Sequence, residues 1–333
     1  MLTTAFLGVA HIHTPGFVNK LQERDDVEVK AVFDHQAERG ERRAEELQAE
    51  YTADLDTVLN DSEITSVVIC AETNRHLELV TKAAQAGKHI FCEKPLAASA
   101  DEAAAMKEAV SAAGVEFQTG FFMRGWPTTQ FIKREVAAGH LGVVTRMRFS
   151  NCHSGSLGGW FDEEWRWTAD KEQAGGGGFA DLGAHALDII LWTLRSRCGG
   201  PCGEVERVAA SLGTATKRYG DIDEYGTGLL TFGSGATAVV EASWVDPNLH
   251  SPLEVFGTQG QIQISGKKVK YYSEHVEGAD GGDWTDLPRE QPHAFDLFFD
   301  KLAGKEIGVP LVTIEEAAEE SRVMAEMYRA AGQ

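Results

Sequence analysis

The chain has 333 residues, 43% of them hydrophobic, 25% charged and 9% aromatic, a mixture that supports a buried core and excludes collagen-like, coiled-coil and disordered architectures. At roughly 100–200 residues per domain, this length implies about two domains. Thirty-one Lys and Arg against 51 Asp and Glu leave a net charge of −20, a field that repels phosphate backbones and anionic membranes, so neither nucleic acid nor a membrane is an expected partner.

The first 120 residues alternate apolar runs with helical patterns. Strands are expected at Ala5–Ala10, Val27–Phe33, Ser66–Cys70, His89–Cys92 and Val115–Thr119. Between them lie a helical segment from Pro15 to Arg24 and helices at Gln36–Glu50, Asn74–Ala86 and Ser99–Ala113, the last capped by Ser99 and closed by Gly114. Strands alternating with helices of this length imply parallel crossovers, hence a doubly wound α/β domain over residues 1–122. The charged run around Arg39, Arg42 and Arg43 is interleaved with Glu38, Glu41, Glu45 and Glu46 and reads as a solvated helix face.

Residues 123–333 read as an α+β domain with an open, mostly antiparallel sheet. A helix at Trp126–Ala138 ends at Gly139, a long strand follows at Val143–His153, and Asp181–Leu194 is helical. Strands then follow at Val205–Thr214, Gly226–Phe232, Thr237–Trp244, Leu253–Gly257, Gln261–Ser265 and Lys268–Tyr272. Gly233-Ser-Gly235 and Thr258-Gln-Gly260 join neighbours at hairpin spacing. Two helices, Pro292–Leu302 and Ile314–Ala331, close the chain. No window has the 18 apolar residues of a membrane helix, and no basic region precedes an apolar N-terminal core, so a cytoplasmic location is expected. The cysteines are Cys70, Cys92, Cys152, Cys198 and Cys202; Cys198-Gly-Gly-Pro-Cys202 lacks a second ligand pair, so reduced thiols are expected, with neither disulfide nor metal.

Four motifs carry chemistry. Gly8-Val-Ala-His-Ile-His13 stands where a dinucleotide fingerprint would read G-x-G-x-x-G, with Ala10 and His13 replacing two glycines and His11 and Ile12 between them. Asp34 ends the second strand, near the offset of ~20 residues expected of a ribose-binding carboxylate, or it caps the next helix. Its charge would repel a 2′-phosphate and favours NAD over NADP, whereas Arg39, one turn on, pulls the other way. Glu93-Lys94-Pro95 follows the fourth strand, at the carboxyl edge of the sheet where ligands of such folds bind. Finally, Gly175-Gly-Gly-Gly opens a helix on which Asp181 and His185, four apart, share one face. A carboxylate beside an imidazole suits a general base; alternatively Asp181 is a first-turn charge and His185 a core residue.

Together, Gly8-x-Ala10-x-x-His13, Thr73-Asn74-x-His76, Glu93-Lys94-Pro95 and Gly177-Gly-x-x-Asp181-x-Gly-x-His185-x-x-Asp188 resemble the Gfo/Idh/MocA oxidoreductases, in order and over nearly the whole chain. The resemblance implies a Rossmann domain followed by an α+β domain that often mediates homo-oligomers, here a dimer or tetramer. It puts Lys94, Asp181 and His185 on catalytic positions, Asp34 on the ribose-binding position, and Thr73, Asn74 and His76 on the nicotinamide-side loop. It also brings Trp160, Trp165, Arg166 and Trp167 near the cleft, with Arg124, Asn151 and His153 as further substrate candidates. The expected activity is NAD-dependent hydride transfer with a secondary alcohol of a sugar, glycoside or cyclitol. Transient oxidation in glycoside cleavage and a non-catalytic NAD-responsive binder are the alternatives.

Overall fold

A computed structural model describes residues 1–195 and 203–333; the Cys198–Cys202 pair lies outside the described residues. The chain begins with β1 (Leu2–Val9), α1 (Thr14–Gln22), β2 (Val27–Phe33), α2 (Ala37–Leu47), β3 (Glu50–Thr52), α3 (Leu55–Leu59), β4 (Ser66–Cys70), α4 (His76–Gln85), β5 (His89–Cys92), α5 (Ala100–Ala113) and β6 (Phe117–Thr119). The six strands form one sheet in the order β3-β2-β1-β4-β5-β6, and every pairing is parallel. This is the strand order of a dinucleotide-binding sheet, whose direction of winding reverses between β1 and β4 and opens a crevice at their carboxyl ends. The central strand β4 is buried at every position, as its unbroken apolar run requires of a strand covered on both faces.

Several local signals are realised as read. Ser99 accepts the Glu102 N–H as N-cap of α5, and Gly114 ends that helix at φ +64°. The helix expected over 36–50 is shorter, because Gln48 turns left-handed at φ +55° and the chain then enters β3, which pairs with β2.

Further on come α6 (Pro127–Ala138), β7 (Val144–Cys152), the single turn α7 (Lys171–Ala174), α8 (Gly178–Arg195), β8 (Val205–Gly213), β9 (Tyr225–Phe232), β10 (Thr237–Ser243), β11 (Leu253–Gly257), β12 (Gly260–Ser265), β13 (Lys268–Ser273), β14 (Asp280–Asp283), α9 (Ala294–Leu302) and α10 (Ile314–Ala330). Their eight strands run in the order β14-β13-β12-β11-β7-β10-β9-β8, antiparallel except for the β7–β10 pair. Burial alternates along β9 and β13, as in a sheet with one face covered. Helix α8 covers β7, β10 and β9.

The chain forms two compact units. Residues Phe161–Gly175 and Pro292–Ser321 group with Met1–Phe122, and the second unit comprises Met123–Trp160, Gly176–Gln291 and Arg322–Gln333. In the first unit, α9 packs Phe295, Phe298 and Phe299 into the same core as Phe6, Phe17, Val68 and Phe91. Phe17 stacks on Phe295 with ring centroids 4.2 Å apart. Among the described residues no helix is long and apolar enough to cross a membrane.

Candidate active site

The turn after β1 is built on Gly8. Its φ is +83°, and a Cβ there would stand 2.5 Å from the Cβ of Ala71, so the turn and the end of β4 approach as closely as only glycine permits. Ala10 occurs where a second glycine was expected, and it is buried with Trp167, whose indole N–H donates to the Ala10 carbonyl at 3.0 Å. Trp167 thus braces this turn, while its neighbours Trp165 and Arg166 are half-buried and exposed.

Asp34 is fully buried at the end of β2. Its carboxylate accepts the Val9 N–H at 2.9 Å and the Gln36 N–H at 2.8 Å, tying the β1 turn to the entry of α2. Asp34 does not cap α2, whose N-cap is Gln36 and has no side-chain cap; its bond to the Gln36 N–H ties the end of β2 to the approach to the helix. Arg39 returns along α2 and grips Asp34 with two bonds of 3.0 and 2.8 Å, then reaches Glu72 at 2.9 Å. Glu72 follows β4 and is not among the residues picked out in the sequence; a single glutamate beside Thr73 carries no local signal.

At the end of β5, Glu93 and Lys94 are both buried. Glu93 accepts the Lys94 N–H at 2.8 Å, and His13 Nδ1 lies 3.0 Å from its other oxygen. Burial alone would raise the Glu93 carboxyl, but His11, His13 and Lys94 hold it well below the usual carboxylate range. His11, His13 and Glu93 bring ligand atoms within 4.8 Å of one another. The His13 N–H, however, donates to His11 Nδ1 at 3.2 Å, which leaves the proton on Nε2, 4.0 Å from Glu93. That tautomer suits a hydrogen-bonded cluster better than a metal ligand. Gly120 completes the packing, since a Cβ there would stand 2.6 Å from Glu93 Oε2. Glu93 therefore joins the ends of β1, β5 and β6 around Lys94.

His76 is wholly buried, with Nδ1 3.1 Å from the carbonyls of Pro95 and Leu96 and Nε2 3.2 Å from that of Ala71. Burial lowers its pKa. It acts as a staple between the turn after β4 and the turn that carries Lys94. Thr73 is buried, and Asn74 is exposed.

In the second unit the tetraglycine has a steric cause. A Cβ on Gly177 would lie 2.0 Å from the Asp223 carbonyl oxygen, and one on Gly178 would lie 2.5 Å from that of Glu224. Helix α8 can therefore start directly against the segment that leads into β9. The Asp223 carboxylate accepts the Gly177 and Phe179 N–H groups and the Tyr328 hydroxyl, each at 2.9 Å. Tyr328 in turn accepts the Ala180 N–H at 3.1 Å. Three N–H groups at the start of the helix, those of Gly177, Phe179 and Ala180, are thus held by two residues distant in sequence, neither of which sequence reasoning found.

One turn into α8, Asp181 Oδ2 accepts the Trp244 indole N–H at 2.9 Å. His185, a turn further along the same helix, is buried. Asn151 donates to the Leu182 carbonyl at 3.0 Å and so holds the helix between them. Arg124 is buried and paired through Nε and Nη2 with Asp188, at 2.5–3.1 Å, and its guanidinium lies 5.4 Å from the Trp192 ring. That pairing neutralises its charge and anchors α8. His153 accepts the Gly155 N–H at 3.0 Å, and its ring lies 4.6 Å from that of Trp160.

The first unit fits a dinucleotide. Gly8 lets the β1 turn close on the end of β4, Asp34 and Arg39 stand paired at the end of β2, and two buried polar atoms after β4, Glu72 Oε2 and Thr73 Oγ1, have no hydrogen-bond partner. Buried polar atoms are normally satisfied, so two such atoms side by side after β4 suit a polar ligand.

Residues 2–121 match the family model described as "Oxidoreductase family, NAD-binding Rossmann fold", and residues 129–263 match the "GFO/IDH/MocA C-terminal domain". The chain is 32% identical over 286 residues to the uncharacterized oxidoreductase YrbE of Bacillus subtilis (strain 168), an overlap covering 84% of this chain and 76% of that protein. It is 33% identical over 228 residues to scyllo-inositol 2-dehydrogenase (NAD(+)) of the same organism, covering 68% and 63%. The crystal structure of GenD2 from gentamicin A biosynthesis in complex with NAD superposes with a TM-score of 0.79 at 24% identity, covering 100% of this chain and 94% of that one. The chain belongs to the GFO/IDH/MocA family of oxidoreductases, whose N-terminal domain is an NAD-binding Rossmann fold.

Proposed function

We propose that this protein is an NAD-dependent dehydrogenase acting on a secondary alcohol of a sugar, glycoside or cyclitol. The observation that carries the reading is Lys94, a buried ammonium at the carboxyl end of β5, on the same sheet edge as the Gly8 turn and Asp34. The similarity to scyllo-inositol 2-dehydrogenase (NAD(+)) supports a polyhydroxylated substrate.

NAD, when bound, supplies the acceptor for the carbinol hydride. Gly8, Ala10, His11 and Ile12 border its pyrophosphate side, Asp34 and Arg39 its adenosine side, and Thr73, Asn74, His76 and Glu93 the turns that frame Lys94. His185 accepts the hydroxyl proton, and Asp181, itself held by Trp244, stabilises the imidazolium that results. Lys94 donates a hydrogen bond to the oxygen that becomes the carbonyl and, in the reverse direction, polarises it. His153, Trp165 and Arg166 contact the sugar, whereas Arg124 acts through Asp188 by anchoring α8. The protein works as a homo-oligomer in a reducing cytoplasm, in keeping with the buried free thiols of Cys70, Cys92 and Cys152.

A panel of cyclitols, sugars and glycosides, followed by absorbance of the reduced nicotinamide with NAD and NADP in parallel, tests the reading. Accumulation of NADH with one of these alcohols supports it. Conversion of a glycoside without NADH accumulation overturns net dehydrogenation, and sugar binding without turnover overturns catalysis.

A further inference from the structure

The Asp34–Arg39–Glu72 cluster says more about the nucleotide than its aspartate alone. An arginine one turn past a ribose-binding carboxylate is the residue type best suited to a 2′-phosphate, because its planar fork matches phosphate oxygens. Here that fork is already occupied. Nε and one terminal nitrogen bond Asp34, and the other terminal nitrogen bonds Glu72 at 2.9 Å. Both carboxylates are at most 2% exposed, and the Arg39 side chain is 10% exposed. The cluster of two carboxylates and one guanidinium carries one net negative charge. His35 is the other cationic candidate nearby, 3.6 Å from Asp34 and 3.9 Å from Glu72.

A second observation points to the ligand. Glu72 Oε2 is buried with no partner, and the adjacent Thr73 hydroxyl is in the same condition. A lone acceptor oxygen needs a donor. A ribose 2′-hydroxyl brings an O–H, whereas a 2′-phosphate at neutral pH brings only acceptors and negative charge.

We infer that Glu72 is a specificity-determining residue: it holds Arg39 away from a 2′-phosphate and, with Asp34, makes the adenosine end select NAD against NADP. This rests on the reading of the protein as an NAD-dependent enzyme. On this account Arg39 is a structural counter-ion in the wild type and becomes a phosphate ligand only when Glu72 is neutralised.

The test uses binding of adenosine fragments to the full chain by calorimetry, so it needs neither the nicotinamide nor the sugar. Wild type is expected to bind 5′-ADP more tightly than 2′,5′-ADP. Glu72→Gln, which keeps the shape and removes the charge, is expected to shift that ratio about tenfold or more toward 2′,5′-ADP, the scale of one charge-assisted hydrogen bond. The gain must vanish in Glu72→Gln/Arg39→Ala, because Arg39 is the group released. Glu72→Ala serves the same cycle should the glutamine variant melt early. An unchanged ratio in the glutamate variants, or a gain that survives loss of Arg39, overturns the inference and leaves the dehydrogenase reading standing. Failure of wild type to bind either fragment removes the cofactor reading instead.

Discussion

Asp223→Ala tests whether the reactive helix is positioned from a distance. The substitution removes an acceptor shared by the Gly177 N–H, the Phe179 N–H and the Tyr328 hydroxyl, each at 2.9 Å. The Gly177 N–H keeps a second acceptor in the Tyr328 oxygen at 3.2 Å, but the N–H of Phe179, which is wholly buried, loses its side-chain acceptor. A buried donor left unsatisfied costs about 1–3 kcal/mol, and loss of a helix cap about 0.5–2 kcal/mol; these overlap, because the same N–H groups are counted in both. Burial pushes the Asp223 carboxyl above its ordinary value despite the hydrogen bonds from Phe179, Tyr328 and Gly177, so removing it also returns some desolvation cost. The expected loss is about 2–3 kcal/mol. At about 2–4 °C per kcal/mol for a unit of this size, melting falls by roughly 5–10 °C. Hydrogen exchange should quicken at the Phe179 and Ala180 amides, and kcat should fall more than the affinity for NAD, because Asp181 sits in the same first turn. Melting within a degree of wild type with unchanged exchange would refute the capping argument. A large loss of stability with wild-type kcat would refute its link to Asp181.

Three further outcomes are expected. Lys94→Ala should lower single-turnover oxidation about 10²–10⁴-fold while NAD titrations stay near wild type, and near-normal turnover would remove Lys94 from the mechanism. In a double-mutant cycle on kcat/KM, His185→Ala should remove most of the rate and Asp181→Ala should add little to it, whereas additive losses that track falling melting temperatures would restore the helix-charge and core-residue reading. Burial, with a smaller push from Lys20, lowers the His293 pKa to about 4, so the fold keeps this histidine neutral where the unfolded chain, near 6.5, takes up a proton. Stability should therefore be lost as pH falls from about 6.5 towards 4, by up to roughly 2–3 kcal/mol, and His293→Asn, which retains a capping side chain for α9, should lose less between pH 7 and pH 5 in urea titrations.

What the sequence by itself determined is what neighbouring residues decide among themselves. Ser66–Cys70 and His89–Cys92 are strands at the bounds expected, because short β-branched and apolar runs have one stable setting in a covered parallel sheet. Ser99 and Gly114 mark the ends of α5, because capping is a matter of a few adjacent atoms. Gly8, Asp34, Lys94, Asp181 and His185 were picked out as candidates through spacing and through resemblance to a family. The short strands Glu50–Thr52 and Asp280–Asp283 were not, because their residues have no apolar alternation and pairing with β2 and β13 is what extends them. The partners of the candidate site residues were equally hidden. Glu72 meets Arg39 across 33 positions, Trp244 meets Asp181 across 63, and Tyr328 meets Gly177 across 151. Each is an ordinary residue in an ordinary stretch. Only tertiary structure brings such groups within 3 Å or so, and burial there makes each hydrogen bond and charge matter far more than it would in water.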